Sequence, residues 1–249
     1  SEGRTGCSST GRTCAAAAQA SQQKPPCFCR HAGQTRNRRL QSTLGQLRCG
    51  ATARGTLVHL VLERLFDADA QQRTLDHAQS LVAGAWETLA ENPDYAALIS
   101  ESDEPAWLAE AQTLVEKYFQ MEDPSGVQPQ HRESPVEFQI ADDLVLRGLV
   151  DRMDIDADGR IVIVDYKTGR APSQDYEPKA MFQMRFYALV VWRQTGVIPS
   201  ELRLMYLADG QMLTDRPSQD DLLATQRRVL ALWDAIKGAH RVGEFRPRP

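Results

Sequence analysis

The alternation of apolar and polar residues is clearest in the middle of the chain, where it predicts three strands, over residues 136–140, 144–154 and 161–167. The last two face each other across a turn that contains Asp156 and Gly159, so we expect a hairpin. Four consecutive branched apolar residues, Ile161 to Val164, indicate a strand that is buried on both faces. This region therefore predicts a rigid central strand with an antiparallel neighbour.

Apolar residues at helical spacing predict helices around this sheet, over residues 55–66, 75–92, 104–120, 178–194 and 218–239. A further strand is predicted over residues 202–207, and Ser218 with Asp221 resembles a capping box. Core positions are predicted for Trp86, Trp107, Tyr118 and Phe119. This order of helices, strands and a crossover predicts an α/β fold with a mixed sheet and helices on both sides.

The candidate chemistry lies where the predicted hairpin leaves the core. Asp165 and Lys167 are two residues apart on a strand, so their side chains share a face. Antiparallel pairing would bring Asp151 close to Asp165, and two such carboxylates are costly to ionise unless they share a cation. Carboxylates without Cys or multiple His nearby favour Mg²⁺ or Mn²⁺ over zinc. These residues predict a hydrolytic site for a phosphodiester.

Each feature also has an ordinary structural explanation. An Asp-x-Lys pair at a strand end is commonly a solvated ion pair. His59 lies on the inward stripe of its predicted helix, where a histidine is more often a core residue than a ligand. Gln183 and Tyr187 share a helix face and offer polar groups to DNA, but an ordinary amphipathic helix has the same pattern.

Four motifs in this order resemble a known family: Gly55-x-x-x-His59, Gly148-x-x-Asp151-Arg152-x-Asp154, Asp165-Tyr166-Lys167-Thr168-Gly169 and Gln183-x-x-x-Tyr187. The chain from about residue 54 to residue 249 is similar to the RecB-like branch of the PD-(D/E)XK nuclease superfamily. The resemblance implies a restriction-endonuclease-like mixed β-sheet flanked by α-helices. It also implies a Mg²⁺-dependent DNA nuclease, with exonuclease activity, that acts in recombination or repair.

The resemblance also implies roles for individual residues. Asp151, Asp165 and Lys167 match the catalytic positions. The metal ligands would be His59, Asp151, Asp165 and the backbone carbonyl of Tyr166. Gln183 and Tyr187 match a motif that contacts nucleic acid beside the active centre, whereas Glu63, Arg152 and Asp154 match supporting positions.

Charge separates the first fifty residues from the rest. They contain eight Lys and Arg and one acidic residue, a net charge of +7, whereas residues 51–249 have a net charge of −11. Residues 1–50 also contain few branched apolar residues, so we expect a basic tail that does not fold by itself, followed by a nuclease domain over residues 51–249. A net negative domain must bind DNA through a local patch, for which Arg170 and Arg185 are candidates.

The cysteines add two alternatives for the tail. The first alternative is a zinc site, but the cysteines lack the paired C-x₂-C spacing that makes such a prediction strong. All five precede the predicted His59 helix: Cys7, Cys14, Cys27, Cys29 and Cys49. The second alternative is an off-frame reading of G+C-rich DNA before about residue 51, which fits the enrichment in Arg, Ala, Gly, Ser, Pro and Cys. Translation in all three frames would test it.

Many relatives hold an iron-sulfur cluster with C-terminal cysteines. Such a cluster is not expected from this chain, which either lacks it or is truncated.

The sequence leaves three classes of function open. The first is the nuclease, acting on DNA that is single-stranded or has ends, with a helicase as its partner. The second is an inactive nucleic-acid-binding module of the same fold, and the third is a docking subunit of a helicase-nuclease complex. No secretory signal and no run of eighteen apolar residues is visible, so we expect no membrane contact and a cytoplasmic location.

Overall fold

The computed structural model describes residues 38–100 and 103–243, and it describes residues 38–51 by their backbone alone. It contains one five-stranded sheet, whose strands lie side by side in chain order. The second strand is antiparallel to the first and to the third, the third and fourth strands are parallel, and the fourth and fifth are antiparallel. The strands are β1 (Pro129–Ala141), β2 (Leu144–Ile155), β3 (Ile161–Lys167), β4 (Glu201–Tyr206) and β5 (Gln211–Asp215). The predicted mixed sheet is confirmed.

Six helices surround this sheet in the described part of the chain: α1 (Arg38–Leu65), α2 (Leu75–Ala90), α3 (Pro93–Ala96), α4 (Glu104–Met121), α5 (Glu177–Thr195) and α6 (Gln219–Val242). Helix α5 is the crossover that joins the parallel strands β3 and β4. The predicted capping box is present, because the Ser218 side chain accepts from the Asp221 amide and the Asp221 carboxylate accepts from the Ser218 amide. None of the described helices has both the length and the hydropathy of a membrane span.

The central strand β3 contributes to two hydrophobic cores, as its run of branched residues predicts. Val164 and Tyr166 pack into a cluster with α1, α2 and α4. Ile161 and Ile163 pack into a second cluster with α5 and α6. The sheet therefore has helices on both faces, and the end of β3 is held between the two cores.

Helix α1 and strands β1 and β5 differ from the prediction, and the short helix α3 was not predicted. Helix α1 begins at Arg38, seventeen residues before Gly55, so its first part falls within the predicted tail. The rest of that tail, residues 1–37, lies outside the described residues together with Cys7, Cys14, Cys27 and Cys29, whereas Cys49 lies in the part of α1 whose backbone alone is described. Strand β1 begins seven residues early, in a polar run with no alternation, and β5 was not predicted because its side chains are mostly exposed.

Candidate active site

Three elements meet at the C-terminal end of β3. Helix α1 brings His59, whose Nε2 lies 2.9 Å from the Tyr166 carbonyl oxygen. Strand β2 brings Asp151, whose Oδ2 accepts a hydrogen bond of 2.8 Å from the Tyr166 amide. The Tyr166 peptide therefore holds both side chains in place through its own backbone groups.

Asp165 and Lys167 emerge from β3 beside this peptide. The β2–β3 pairing ends at Arg152 and Val164, and the same register continued by one residue places Asp151 opposite Asp165. Lys167 Nζ lies 2.5 Å from Asp165 Oδ2, so the two side chains form an ion pair and the Asp165 carboxylate in it is almost fully buried. Burial and the nearby Asp151 raise the pKa of Asp165 to about 6. The two carboxylates thus compete for ionisation, as the sequence predicted.

Glu133 of β1 joins the site, although the sequence analysis did not select it. Its Oε1 lies 3.4 Å from His59 Nδ1, as does Asp151 Oδ2. Ligand atoms of these three residues lie within 4.8 Å of one another. Burial lowers the pKa of His59, but hydrogen bonds to Asp151 and Glu133 outweigh it and raise that pKa to about 10. One positive charge is therefore favoured between the two carboxylates.

Gln183 and Tyr187 lie beside Lys167, which places the fourth motif at the same site. Lys167 Nζ donates to Gln183 Oε1 at 3.3 Å, and Gln183 Nε2 donates to the Tyr187 hydroxyl at 2.8 Å. Gln183 is exposed and Tyr187 is half-buried. The pair therefore positions the lysine ammonium, and the contact of Gln183 and Tyr187 with nucleic acid stays a prediction.

Gly148 makes the room that the Tyr187 ring occupies. A Cβ atom at residue 148 would lie 2.6 Å from Tyr187 Cε1 and 2.9 Å from Cδ1, and a ring cannot yield as a flexible chain would. We expect Gly148→Ala to displace the ring and to lower the free energy of unfolding by about 1–3 kcal/mol. Urea unfolding measures this loss.

Gly84→Ala is the matched control, because a Cβ at this helical position meets nothing within 4 Å. We expect it to leave stability unchanged or raise it by about 1 kcal/mol. Adding Tyr187→Ala to Gly148→Ala removes the clash and is expected to recover part of the loss. Equal unfolding midpoints for Gly148→Ala and the unsubstituted protein would contradict the steric argument.

The two predicted arginine contacts differ in their surroundings. Arg170 is exposed in the loop that follows β3, close in sequence to Lys167. Arg185 points to β5, where its Nε lies 2.6 Å and its Nη2 3.2 Å from the Asp215 carboxylate. A phosphate at Arg185 would have to compete with this carboxylate, so Arg170 is the better placed of the two.

Behind the site, Arg152 is almost fully buried and connects several elements. Its guanidinium donates to both carboxylate oxygens of Glu122, which directly follows α4, at 2.6 and 2.9 Å. It also donates to Asp154 Oδ2 at 3.0 Å and to the Tyr166 hydroxyl at 2.8 Å. The Tyr166 side chain is thereby anchored on one face of the sheet, while its peptide supports His59 and Asp151.

The donor set at this site fits a hard divalent cation. His59, Glu133 and Asp151 offer an imidazole and two carboxylates whose ligand atoms lie within 4.8 Å of one another, and the buried Asp165 carboxylate is close enough for Asp151 to raise its pKa. Oxygen-rich sets with one imidazole suit Mg²⁺ or Mn²⁺. The Tyr166 carbonyl, predicted as a further ligand, is already engaged with His59, although a carbonyl oxygen has a second lone pair.

Comparison with known proteins identifies the superfamily of the chain. The family model of the PD-(D/E)XK nuclease superfamily matches residues 28–249, which is most of the chain. The comparison with curated proteins gives no significant match. With its mixed sheet, its flanking helices and this match, the chain belongs to the PD-(D/E)XK nuclease superfamily.

Proposed function

We propose that this chain is a Mg²⁺-dependent deoxyribonuclease of the RecB-like branch, which removes nucleotides from DNA ends in recombination or repair. The observation that carries the proposal is the meeting of all four motifs at one end of β3. His59, Asp151 and Asp165 surround the Tyr166 peptide, and Lys167 links them to Gln183 and Tyr187. A structural role alone would not require an imidazole, two carboxylates and an ammonium in one half-buried place.

Each group has a task in phosphodiester hydrolysis. His59, Asp151 and Asp165 would hold the cation, which polarises the phosphodiester and lowers the pKa of a coordinated water. The Lys167 ammonium would lie beside the cation, where it can orient a water and stabilise the negative charge that develops on the phosphate. Gln183 fixes the position of that ammonium through its amide oxygen, and Tyr187 fixes the amide.

The proposed substrate is DNA that is single-stranded or has ends. Residues 51–249 have a net charge of −11, which does not favour a broad contact with a duplex. A local basic group such as Arg170 is enough to contact the phosphates of a single strand at the site. A helicase partner would supply such strands by separating the duplex. A cytoplasmic location stays an expectation from the sequence.

A cleavage assay tests the proposal. Single-stranded DNA, duplex DNA and RNA carrying an end label are incubated with the protein in Mg²⁺, in Mn²⁺ and in EDTA. We expect cleavage of DNA with either cation and none in EDTA, with stepwise shortening from one end. Closed circular DNA is the control, because an exonuclease leaves it intact.

The same assay separates the alternatives. DNA binding without cleavage under all metal conditions would favour the inactive binding module. Neither binding nor cleavage would favour the docking subunit. Cleavage of RNA alone would move the proposal to a ribonuclease, and cutting of closed circles would replace the exonuclease with an endonuclease.

A further inference from the structure

We propose that Glu133 of β1 is a ligand of the catalytic metal, on the side of His59 that faces away from Tyr166. The inference rests on the proposed function, and it adds to the site a residue that none of the four motifs contains. Glu133 lies on an antiparallel neighbour of the motif strand β2, and its side chain is only 15% exposed.

The contacts of His59 indicate which of its ring nitrogens would bind the metal. Nε2 lies 2.9 Å from the Tyr166 carbonyl oxygen, which can only accept, so this nitrogen carries the proton of a neutral ring. The lone pair of a neutral ring then lies on Nδ1. A histidine ligand usually donates its other N–H to such a carbonyl, which fixes the ring for the metal. The metal-binding nitrogen therefore faces Glu133 and Asp151.

The spacing around Nδ1 suits neighbouring ligands of one cation. Glu133 Oε1 and Asp151 Oδ2 each lie 3.4 Å from Nδ1. Bonds of about 2.0–2.2 Å at right angles place adjacent ligands about 3 Å apart. A small adjustment of either side chain would thus complete a set of one nitrogen and two oxygens.

The backbone of Glu133 adds a second observation. The β1–β2 pairing includes Arg132 with Arg152 and Ser134 with Val150, so Glu133 occupies the position opposite Asp151. Its φ is 39°, and it is the one non-glycine residue with a positive φ in the described part of the chain. Such a conformation is strained for a residue with a side chain, and strained residues of this kind cluster at functional sites. It coincides here with a carboxylate beside the candidate ligands His59 and Asp151.

Metal binding can be measured without any cleavage. Mn²⁺ is titrated into the full chain, and the free ion is followed by electron paramagnetic resonance. We expect Glu133→Gln to weaken Mn²⁺ binding by about tenfold or more, because the amide keeps the shape but loses the charge. Glu137→Gln is the matched control on the same strand, where the carboxylate is exposed and paired with Arg147, and we expect an unchanged Kd.

The outcomes separate this inference from the proposed function. Equal Mn²⁺ affinities for Glu133→Gln and the unsubstituted protein, with cleavage intact, would overturn the ligand role of Glu133 alone. No Mn²⁺ binding by the unsubstituted protein would overturn both. If Glu133→Gln does not fold, Glu133→Asp retains the charge on a shorter side chain. We expect it to bind Mn²⁺ more weakly than the unsubstituted protein, and an unchanged Kd would count against the inference.

Discussion

Replacement of Lys167 by Met is expected to lower the cleavage rate by about a thousandfold while DNA binding changes little. The ammonium lies 2.5 Å from Asp165 and is held by Gln183, so it is fixed next to the acidic cluster. A fixed positive charge that stabilises the negative charge developing on the phosphate raises the rate by about 10²–10³-fold. Assistance with proton transfer would raise it further. Single-turnover cleavage with saturating Mg²⁺ measures the loss.

Lys237→Met controls for the loss of one lysine, because Lys237 forms exposed ion pairs with Asp143 and Asp234 on the surface. We expect this variant to cleave at the unsubstituted rate. Asp165→Asn is expected to match Lys167→Met in rate and also to weaken metal binding, since it removes a proposed ligand. A Lys167→Met protein that retains more than about a tenth of the rate would remove the lysine from the proposed mechanism.

The geometry of the motifs could be predicted because short-range rules fix it. Side chains two apart on a strand share a face, so Asp165 and Lys167 had to emerge together. An antiparallel hairpin fixes which residue stands opposite, which predicted Asp151 near Asp165. The helical spacing of Gln183 and Tyr187 likewise predicted that they share a helix face, where their side chains are hydrogen-bonded to each other.

Glu133 and Asp215 could not be found in this way. Glu133 lies in a polar run without alternation, and its left-handed backbone depends on tertiary contacts. Counting back from the hairpin turn would place Glu133 opposite Arg152, but a register shift between Gln139 and Ala141 brings it opposite Asp151 instead. Asp215 lies on the exposed strand β5, so nothing in the sequence revealed that Arg185 has a carboxylate partner.

Loss of the Arg152 guanidinium is expected to cost about 3–5 kcal/mol of unfolding free energy, the largest stability effect we predict. Removal of one partner of a buried ion pair leaves the other charge uncompensated. Arg152→Met would remove two of the hydrogen bonds that Glu122 accepts and the ion pair of Asp154, and would leave only Arg203, 3.6 Å from Glu122, near that carboxylate as a cation. Urea unfolding at pH 8 measures the loss. Arg160→Met, which breaks an exposed pair with Asp156, is expected to change stability by no more than about 0.5 kcal/mol.

The loss should be smaller at pH 5 than at pH 8. Burial already raises the pKa of Asp154 although Arg152 opposes it, so removal of Arg152 raises that pKa further. A carboxyl group with a raised pKa in the folded state favours folding when it is protonated, so Arg152→Met regains stability as the pH falls towards that value. Equal losses at both pH values would mean that uncompensated charge is not the cause. Mn²⁺ affinity should fall as well, because Arg152 anchors the Tyr166 ring whose peptide supports His59 and Asp151.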